Sequence, residues 1–333
     1  MHKIRSGINS GLQILEIELT NQCNLNCKHC YVNKDRVFKL KKEKIIDLIK
    51  EASDLGVNRL VFTGGEPLLL KEVFDYANYA KELKIPQVVL MTNGILIGKN
   101  NISNLKVFDL VQLSLDVPPG EKPHFREDYF EKLEKVIQLL KNNKIKVSLQ
   151  ATLHKSLVPL IKELSDFSIK HDIKIGINRL SPVGGAKNLL NEVLNPNELK
   201  LALFKIAQVK SVNKNIGCSD PLLFLVDEKR MDLFRAQPKK KIIGGCLAGV
   251  AALYIAANLD IYICPFVRLK VDSLKNKSLS EVWFLNKKLG LLRERDFTGN
   301  CGSCEYKSFC GGCRASSLIN NGNLFGFDSK CFK

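Results

Sequence analysis

Short apolar segments alternate with amphipathic stretches through the first half of the chain. Segments rich in Val, Ile and Leu predict β-strands at residues 14–20, 58–63, 87–92, 109–115, 145–152 and 173–180. Apolar residues at helical spacing predict helices at residues 41–52, 70–83, 129–141 and 157–171. This alternation favours parallel strands joined by right-handed crossovers. Six strands are too few for a closed eight-stranded barrel, so the pattern predicts an α/β fold built on a parallel sheet.

Polar or glycine-rich motifs directly follow the first four predicted strands. In chain order they are the cysteines Cys23, Cys27 and Cys30, then Thr63-Gly-Gly-Glu-Pro67, then Thr92-Asn-Gly94, then Ser114-Leu-Asp116. Barrels of parallel strands carry their active sites at the carboxyl ends of the strands. We therefore expect the four motifs to border one site.

The three cysteines stand at C-x3-C-x2-C spacing on one short loop. Three thiolates can hold a 4Fe-4S cube by three of its corners, whereas a structural cluster takes four ligands. One iron would therefore stay open for chemistry. The alternative is half of a zinc site, but zinc ribbons pair two cysteines at x2 spacing with two more about 15 to 20 residues further on. No such second pair follows, so the spacing favours a cluster.

The segment from Asn21 to Tyr31 resembles the signature of the radical SAM superfamily. Members usually carry an aromatic residue where this chain has His29. The resemblance implies a partial (β/α)6 TIM-like barrel, with S-adenosylmethionine (SAM) bound to the open iron through its amino and carboxylate groups. It also implies that the reduced cluster passes one electron to SAM. That step would release methionine and a 5'-deoxyadenosyl radical, which takes a hydrogen atom from an unactivated carbon.

Gly64, Gly65, Glu66 and Pro67 form the clearest of the other motifs. The glycines lack side chains, so that backbone groups can approach a ligand, and the proline fixes the exit of the turn. By resemblance this element contacts the amino group of SAM, where the Glu66 carboxylate is the expected partner of a cationic amine. Alone, the motif is only a turn. Its position one strand–helix unit after the cysteine loop favours the functional interpretation.

The remaining barrel motifs carry weaker signals, because Asn-Gly is a common turn and Ser is common at strand ends. We count Asn93 as a candidate cofactor-binding residue, and the resemblance assigns Ser114 and Asp116 to the region of the SAM ribose. His124-Phe125-Arg126 resembles a shortened HxxFR-type element, whose arginine would pair with the SAM carboxylate. The alternative for Arg126 is a solvated residue at the start of a helix.

The carboxyl third carries seven cysteines between residues 246 and 331, more than one cluster can use. Their order resembles the SPASM extension of radical SAM enzymes that mature peptides, quinone-cofactor precursors and sulfatases, which usually holds two auxiliary 4Fe-4S clusters. Segments 262–266 and 309–315 match the typical sequence of this extension. Two positions depart from it: Leu259 replaces the usual glycine, and the last cysteine pair has x2 spacing instead of the commoner x3. Two zinc knuckles are the alternative, but Cys301 to Cys313 is too tight for an ordinary zinc-ribbon loop.

The resemblance implies a ligand set for each auxiliary cluster. The outer cluster would be held by Cys301, Cys304, Cys310 and Cys331, and the inner one, nearer the barrel, by Cys246, Cys264 and Cys313. The inner set lacks a fourth ligand, because residues 247–253, where relatives place a cysteine, contain none. The missing ligand is Cys218, an exogenous molecule or a substrate thiol.

Cys218 lies outside both ligand sets, in the polar segment 215–221. A free buried cysteine is usually a small hydrophobe. The polar surroundings favour instead a thiol near the site. Two functional roles then compete: fourth ligand of the inner cluster, or a catalytic role as the hydrogen-atom donor that quenches a substrate radical, as peptide epimerases require.

Composition sets the outer limits of this interpretation. A chain of 333 residues allows one large domain and a small one. We predict an N-terminal arm (1–13), the barrel (14–190), a bridging region (191–240) and a cysteine-rich domain (241–333). The 51 Lys and Arg against 34 Asp and Glu give a formal charge of +17, which would suit an acidic partner. Apart from Lys239-Lys-Lys241 the basic residues are scattered, so we do not expect nucleic acid as a partner.

Two further features concern the compartment. No apolar stretch reaches the 18 residues of a membrane helix, and no signal sequence precedes the first motif. The eleven cysteines are arranged as cluster ligands rather than as disulfides, which fits a reducing environment. We therefore expect a cytoplasmic protein without a membrane partner.

The resemblance favours an enzyme that modifies a ribosomally synthesised peptide, by a thioether or carbon–carbon crosslink or by epimerisation. Sulfatase maturation is disfavoured, because Pro265 stands where those enzymes carry aspartate. Only thirteen residues precede the first strand, so a leader peptide would bind the barrel or a separate protein. Flavodoxin or ferredoxin would supply electrons.

Two other classes of function stay open from the sequence. One is a radical SAM enzyme that acts on a small molecule, through decarboxylation of a haem precursor or dehydrogenation of an alcohol. The other is a non-catalytic iron-sulfur electron carrier or RNA-binding protein, which would have no use for Glu66 and an open iron.

Overall fold

A single sheet runs through the protein, and its central part follows the order of the chain. The computed structural model describes residues 11–32, 35–118, 121, 125–126, 130–236 and 244–333. Residues 1–10 of the predicted arm, His124 and the Lys239–Lys241 run lie outside the described residues. The strands are β1 Ile14–Glu18, β2 Arg59–Thr63, β3 Gln87–Thr92, β4 Leu110–Leu115, β5 Val147–Leu153, β6 Lys174–Arg179, β7 Ile216–Cys218, β8 Ala252–Ile255, β9 Asp260–Tyr262 and β10 Asp272–Ser273.

The helices alternate with the first strands and then cluster towards the carboxyl terminus. They are α1 Lys42–Asp54, α2 Val73–Glu82, α3 Phe130–Asn142, α4 Ile161–His171, α5 Pro196–Val212, α6 Glu228–Ala236, α7 Leu279–Leu285, α8 Lys287–Glu294, α9 Gly299–Gly302 and α10 Arg314–Asn321. No helix within the described ranges combines the length and the hydropathy of a membrane span.

The six predicted strands and four predicted helices are present, and the α/β prediction is confirmed. Two helices start later than the apolar spacing indicates. The segment Pro67–Leu69 forms a separate 3-10 turn, in which the N–H of Leu68 donates to the Glu66 side chain. Helix α2 therefore begins only at Val73. Before α4, Lys155–Leu160 is also a 3-10 segment; it contains Pro159, which cannot donate inside an α-helix.

Strands β1 to β6 are all parallel to their neighbours, and the sheet continues beyond them on both sides. On one side β7 pairs parallel with β6, with Ile177 opposite Cys218. On the other, β8 pairs parallel with β1, and the short strands β9 and β10 continue antiparallel. Residues from β7 and β8 nevertheless line the same cavity. The sheet therefore curls, so that its two flanks approach each other as in an open barrel.

The two faces of β1 show which side of the sheet packs against the apolar core and which side faces the cavities. Leu15 and Ile17 are completely buried in the apolar core that α1 and α2 help to form. Side chains alternate along a strand, so Glu16 and Glu18 point to the other face, where each lines a cavity. On β1 the concave face thus carries two acidic side chains, and this places the candidate site on that face.

Candidate active site

The cysteine loop leaves the carboxyl end of β1 and is held by the loop that follows β2. The N–H of Gly65 donates to the carbonyl of Thr20 (2.7 Å), and the N–H of Glu66 donates to the carbonyl of Gln22 (2.8 Å). A Cβ atom at Gly65 would lie 2.2 Å from the Gln22 oxygen, so this position needs glycine. The space beside Gly65 is therefore filled by the backbone of the cysteine loop itself.

A second glycine pair, Gly184 and Gly185, holds the other side of the loop. The N–H of Gly185 donates to the carbonyl of Cys30 (2.8 Å), and a Cβ atom at Gly184 would lie 2.5 Å from the same oxygen. Gly184 has a φ of +59°, which glycine adopts without strain. Sequence reasoning missed this pair, although a Gly-Gly just beyond β6 repeats the pattern seen beyond β2. Two glycine pairs thus clamp the cysteine loop.

Glu66 is fully buried, and its carboxylate accepts hydrogen bonds from three donors of the protein. Oε1 accepts from the Thr92 hydroxyl (2.7 Å) and the Leu68 N–H (3.0 Å), and Oε2 accepts from the Asn93 N–H (2.9 Å). Burial raises the pKa of Glu66, and these hydrogen bonds oppose the rise. The carboxylate therefore ties its own turn to the turn after β3, and its contact with SAM stays a prediction.

Asn93 connects the turn after β3 to the cysteine loop. Its Nδ2 donates to Oδ1 of Asn24 (2.8 Å) and lies 3.8 Å from Sγ of Cys23. Its Oδ1 accepts from the N–H of Ile95 (2.9 Å), which orients the side-chain amide. A series of hydrogen bonds thus runs from Glu66 through Asn93 to a predicted cluster ligand.

Ser114 and Asp116 stand at the end of β4 and just beyond it. Ser114 is half-buried, whereas Asp116 is buried and its Oδ2 accepts from the N–H of Phe125 (3.0 Å). Oδ1 of Asp116 lies 3.9 Å from Nδ1 of His29, and Nη2 of Arg126 lies 3.4 Å from Nε2 of the same ring. The structure therefore brings Asp116 and Arg126 together at the cysteine loop.

His29 occupies the position where superfamily members usually carry an aromatic residue. Its ring makes an edge contact with the ring of Phe125, with 5.9 Å between centroids. Burial, assisted by the positive charge of Arg126, lowers the pKa of His29 to about 4. The imidazole is therefore neutral at neutral pH, and it packs as an aromatic side chain would.

A cavity of about 920 Å³ lies between the cysteine loop and the carboxyl-terminal segment. Small-molecule sites typically measure about 300 to 1,000 Å³. Its walls include the predicted ligands Cys27 and Cys30, the cations Arg36, Lys187 and Arg268, and the acids Glu18 and Asp35. Walls of both charge signs suit a ligand that itself carries both signs.

Glu18 fastens the carboxyl-terminal segment to β1. The hydroxyl of Tyr254 donates to its Oε2, and the N–H of Ala257 donates to its Oε1 (3.2 Å). Burial raises the pKa of Glu18, and these two bonds oppose the rise. Tyr31, directly after the cysteine motif, makes edge contacts with the rings of Tyr254 (6.2 Å) and Phe266 (5.3 Å). These contacts set the cysteine loop against the cysteine-rich region.

The cysteines predicted for the inner auxiliary cluster lie close enough for the charge of one thiolate to raise the pKa of another. Burial raises the pKa of Cys313 to about 12, and Cys246 adds to the rise. Burial also raises the pKa of Cys264 well above its usual value, with contributions from Cys246 and Cys313. A bound cation would reverse these shifts, because a coordinating thiol is deprotonated.

The cysteines predicted for the outer cluster also raise one another's pKa values. Burial raises the pKa of Cys310 to about 12, and Cys301 is among the groups that add to the rise. Burial raises the pKa of Cys331, with contributions from Cys301 and Cys304. Within the described ranges, no three His, Cys, Asp or Glu side chains converge as ligands of one metal ion. The ligand roles of all ten cysteines stay predictions.

Arg179, the last residue of β6, forms a buried ionic bridge that sequence reasoning missed. Its Nε and Nη2 donate to the Asp220 carboxylate at 2.6 and 2.8 Å, and Nη1 lies 3.3 Å from both carboxylate oxygens of Asp328. Oδ2 of Asp328 also accepts from the N–H of Cys313 (2.9 Å). One guanidinium therefore joins the end of β6, the segment after β7 and the cysteine-rich region.

A second cavity, of about 660 Å³, lies between the flanks of the curled sheet. Cys218 at the end of β7 lines it together with Cys246 and Cys264. Burial raises the pKa of Cys218 to about 12, with Asp220 adding to the rise. Glu16 of β1 also lines this cavity, and burial raises its pKa to about 7. The structure thus places Cys218 in one cavity with two of the three predicted inner ligands.

Comparison with known proteins connects this geometry to a chemistry. The AdoMet-dependent heme synthase of Oleidesulfovibrio alaskensis is 23% identical over 96% of this chain and 87% of its own length. Streptococcus suis SuiB bound to precursor peptide SuiA matches 97% of this chain and 76% of that chain, with a TM-score of 0.78 and 22% identity. The anSMEcpe structure with bound AdoMet and Cp18Cys peptide matches 96% and 93%, with a TM-score of 0.72 and 20% identity. At these identities the two structures show a shared fold.

The family comparison covers the barrel. The profile of the Radical SAM superfamily matches residues 17–174, which begin within β1 and end at the first residue of β6. The matched region contains the cysteine loop and every motif that we placed at the ends of β1 to β4. Its soft thiolate donors suit an iron-sulfur cluster, and membership implies a 4Fe-4S cluster and SAM. Residues 17–174 of this enzyme therefore form a radical SAM domain, and a cysteine-rich carboxyl-terminal extension follows it.

Proposed function

We propose that this enzyme modifies a ribosomally synthesised peptide, through a crosslink or an epimerisation. The observation that carries the proposal is the likeness of nearly the whole chain to SuiB, whose structure was solved with its precursor peptide. The likeness to anSMEcpe, which was solved with a bound peptide, supports the same class of substrate. A separate leader-binding protein would complete the system, with flavodoxin or ferredoxin as the reductant.

Cys23, Cys27 and Cys30 would hold the SAM-binding cluster, and three ligands leave one iron for SAM. With SAM bound, this cluster supplies a 5'-deoxyadenosyl radical that takes a hydrogen atom from an unactivated carbon. The chain's own contribution is orientation: the two glycine pairs and Asn93 hold the loop in one position. Asp116 and Arg126, which meet at His29, would contact the ribose and the carboxylate of SAM.

Two auxiliary 4Fe-4S clusters would lie in the carboxyl-terminal extension. Cys301, Cys304, Cys310 and Cys331 would hold the outer one. The proximity of Cys301 to Cys310, and of Cys331 to Cys301 and Cys304, supports that set. Cys246, Cys264 and Cys313 would hold the inner one, and their mutual neighbourhood supports it equally. The inner cluster would lie nearer the barrel, in a position to exchange an electron with a substrate radical.

A small acidic molecule is the second candidate substrate. The observation that favours it is the match of 96% of this chain to an AdoMet-dependent heme synthase. The cations Arg36, Lys187 and Arg268 on the wall of the larger cavity would suit substrate carboxylates. The reaction in that case would be decarboxylation of a haem precursor.

One experiment separates the two substrate classes. The anaerobically reconstituted enzyme is incubated with SAM and dithionite, once with a short peptide encoded beside its gene and once with iron-coproporphyrin. We expect a mass change in the peptide, with 5'-deoxyadenosine formed in proportion, and no change in the porphyrin. Loss of carbon dioxide from the porphyrin with an unchanged peptide would establish the second candidate instead.

The substitution Glu66→Gln should weaken SAM binding by roughly 1.5 to 3 kcal/mol, the scale of a hydrogen bond to a charged group. Both Glu66 oxygens accept from N–H or O–H donors, so either orientation of a glutamine amide would turn its NH2 group towards a donor. The measurement is the SAM dissociation constant of the reconstituted protein. The half-exposed Glu72, which pairs with Lys39 at 3.4 Å, provides the control Glu72→Gln. Equal dissociation constants for the two variants would remove Glu66 from the SAM site.

A further inference from the structure

We propose that Cys218 is the fourth thiolate ligand of the inner auxiliary cluster. The inference rests on the proposed function in one respect, namely that an inner cluster is held by Cys246, Cys264 and Cys313. Residues 247–253 offer no cysteine to complete this set. Every other cysteine of the chain stands on the loop after β1 or is predicted for the outer set. Cys218 is the remaining thiol, and three features of the structure bring it to the inner set.

The first feature is the path of the chain through β7. This strand is only three residues long, and it pairs parallel with β6 so that Cys218 stands opposite Ile177. The N–H of Ser219 still donates to the carbonyl of Ile177 (3.3 Å), which holds the chain against β6 just beyond Cys218. Cys218 therefore occupies the carboxyl end of the edge strand β7, the end at which the other site motifs of the barrel lie.

The second feature is the cavity of about 660 Å³ between the flanks of the sheet. Cys218 borders it from the β7 side, and Ala252 and Leu253 border it from β8. Cys246 and Cys264, which precede and follow the β8–β9 hairpin, line the same cavity. Cys313 is an electrostatic neighbour of both. Cys218 therefore borders the cavity that two of the three predicted inner ligands line, and the third is a neighbour of those two.

The third feature is the ionic bridge of Arg179. Asp220, two residues after Cys218, binds this guanidinium in a bidentate manner, and Asp328 binds its remaining nitrogen. Because Asp328 also accepts from the N–H of Cys313, the backbones that carry Cys218 and Cys313 are tied to the same cation. Buried ion pairs of this kind hold a defined geometry, since separating the charges in a dry interior is costly.

Aromatic packing fixes the segment after Cys218 from the other side. The ring of Phe224 makes edge contacts with the rings of Tyr306 (5.3 Å) and Phe309 (5.2 Å), which lie between the outer cysteines Cys304 and Cys310. The carbonyl of Pro221 lies 3.6 Å from Sγ of Cys310. The loop that begins at Cys218 is thus held between the barrel and both groups of cysteines.

This assignment excludes the binding of a substrate thiol from the roles of the inner cluster. With four thiolates from the protein, no iron is left to bind a substrate thiol. The inner cluster would then exchange electrons with the substrate radical instead of anchoring the substrate. Cys218 would also be unable to act as a hydrogen-atom donor, because a ligand thiolate carries no proton.

The test uses a background that lacks the SAM-binding cluster, Cys23→Ala, Cys27→Ala and Cys30→Ala together, so that only auxiliary iron remains. This background should hold about eight iron atoms per chain. Adding Cys218→Ala should change the inner cluster alone. The expected result is loss of about four iron atoms, or retained iron with an altered electron paramagnetic resonance signal. In the second case the signal should shift again when 2-mercaptoethanol is added, because an open iron accepts an outside thiol. The exposed neighbour Ser219 provides the matched control, Ser219→Ala.

Several results would overturn the assignment. One is a Cys218→Ala variant with the full iron content and an unchanged resonance signal. Another is a background protein whose own signal already responds to 2-mercaptoethanol, which would show that an outside ligand completes the cluster. If the alanine variant does not fold, as judged by circular dichroism, Cys218→Ser decides. A shifted signal with that variant supports ligation, and an unchanged one refutes it.

A background that retains only about four iron atoms or none would refute the two auxiliary clusters themselves. That result distinguishes failure of the proposed function from failure of this inference.

Discussion

Replacement of Cys23, Cys27 and Cys30 together by alanine should abolish reductive cleavage of SAM and leave the auxiliary iron in place. Three 4Fe-4S cubes correspond to about 12 iron and 12 sulfide per chain after anaerobic reconstitution, so the variant should retain about eight of each. The loss should be selective, because these cysteines lie on the loop after β1, whereas the cysteines of the carboxyl-terminal extension form their own neighbourhoods. Iron and sulfide analysis, together with chromatography of 5'-deoxyadenosine, measures both effects.

The same loop offers a matched control for that experiment. The side chain of Lys28 is exposed between Cys27 and Cys30, and the backbone N–H of Lys28 donates to the carbonyl of Phe125, a bond that alanine keeps. Lys28→Ala should therefore keep the full iron content and the cleavage of SAM. A triple cysteine variant that also kept its full iron content would contradict the assignment of the SAM-binding cluster to this loop.

Replacement of Arg179 by methionine should lower the free energy of unfolding by about 3 to 5 kcal/mol, the usual cost of breaking a buried ion pair. Arg179 is the common partner of Asp220 and Asp328, and both carboxylates are buried. Without the guanidinium, each would lose its charged partner in a dry interior. Methionine keeps the apolar stem, so the loss reports the charge and its hydrogen bonds. Urea unfolding of the anaerobic, reconstituted protein provides the measurement.

An exposed ion pair in the neighbouring helix calibrates this result. Lys162 pairs with Asp166 at 2.8 Å on the surface of α4. Exposed pairs contribute little, so Lys162→Met should lower the free energy of unfolding far less than Arg179→Met does. If Arg179→Met were as mild as this control, the ionic bridge would have no part in holding the barrel against the cysteine-rich region.

Local patterns in the sequence predicted most of the barrel. The six apolar segments and the amphipathic stretches between them correspond to β1–β6 and α1–α4, because strand and helix periods are properties of neighbouring residues. The cysteine loop was also readable, since Cys23, Cys27 and Cys30 lie within eight residues of each other. Where the start of a helix differs from the predicted one, a local feature is responsible, as with Pro159 before α4.

The short outer strands carried no such signal. With three and four residues, β7 and β8 are too short for a period to be distinguished from chance. The structure nevertheless uses them to extend the sheet on both sides, and the cavity between them gathers Cys218, Cys246 and Cys264. The sequence left three roles open for Cys218, and its surroundings became visible only in the fold.

The sequence by itself determined the alternating fold and the three-cysteine motif of the radical SAM domain, because each is encoded by spacing within a short segment. Tertiary structure alone decided which segments that are distant in the sequence come into contact. Arg179 meets Asp220 after 41 residues and Asp328 after 149, and Tyr254 donates to Glu18 across 236 residues. Gly184 and Gly185 reach the cysteine loop from the far end of the barrel sequence. These contacts depend on the path of the whole chain, and no local period or spacing records that path.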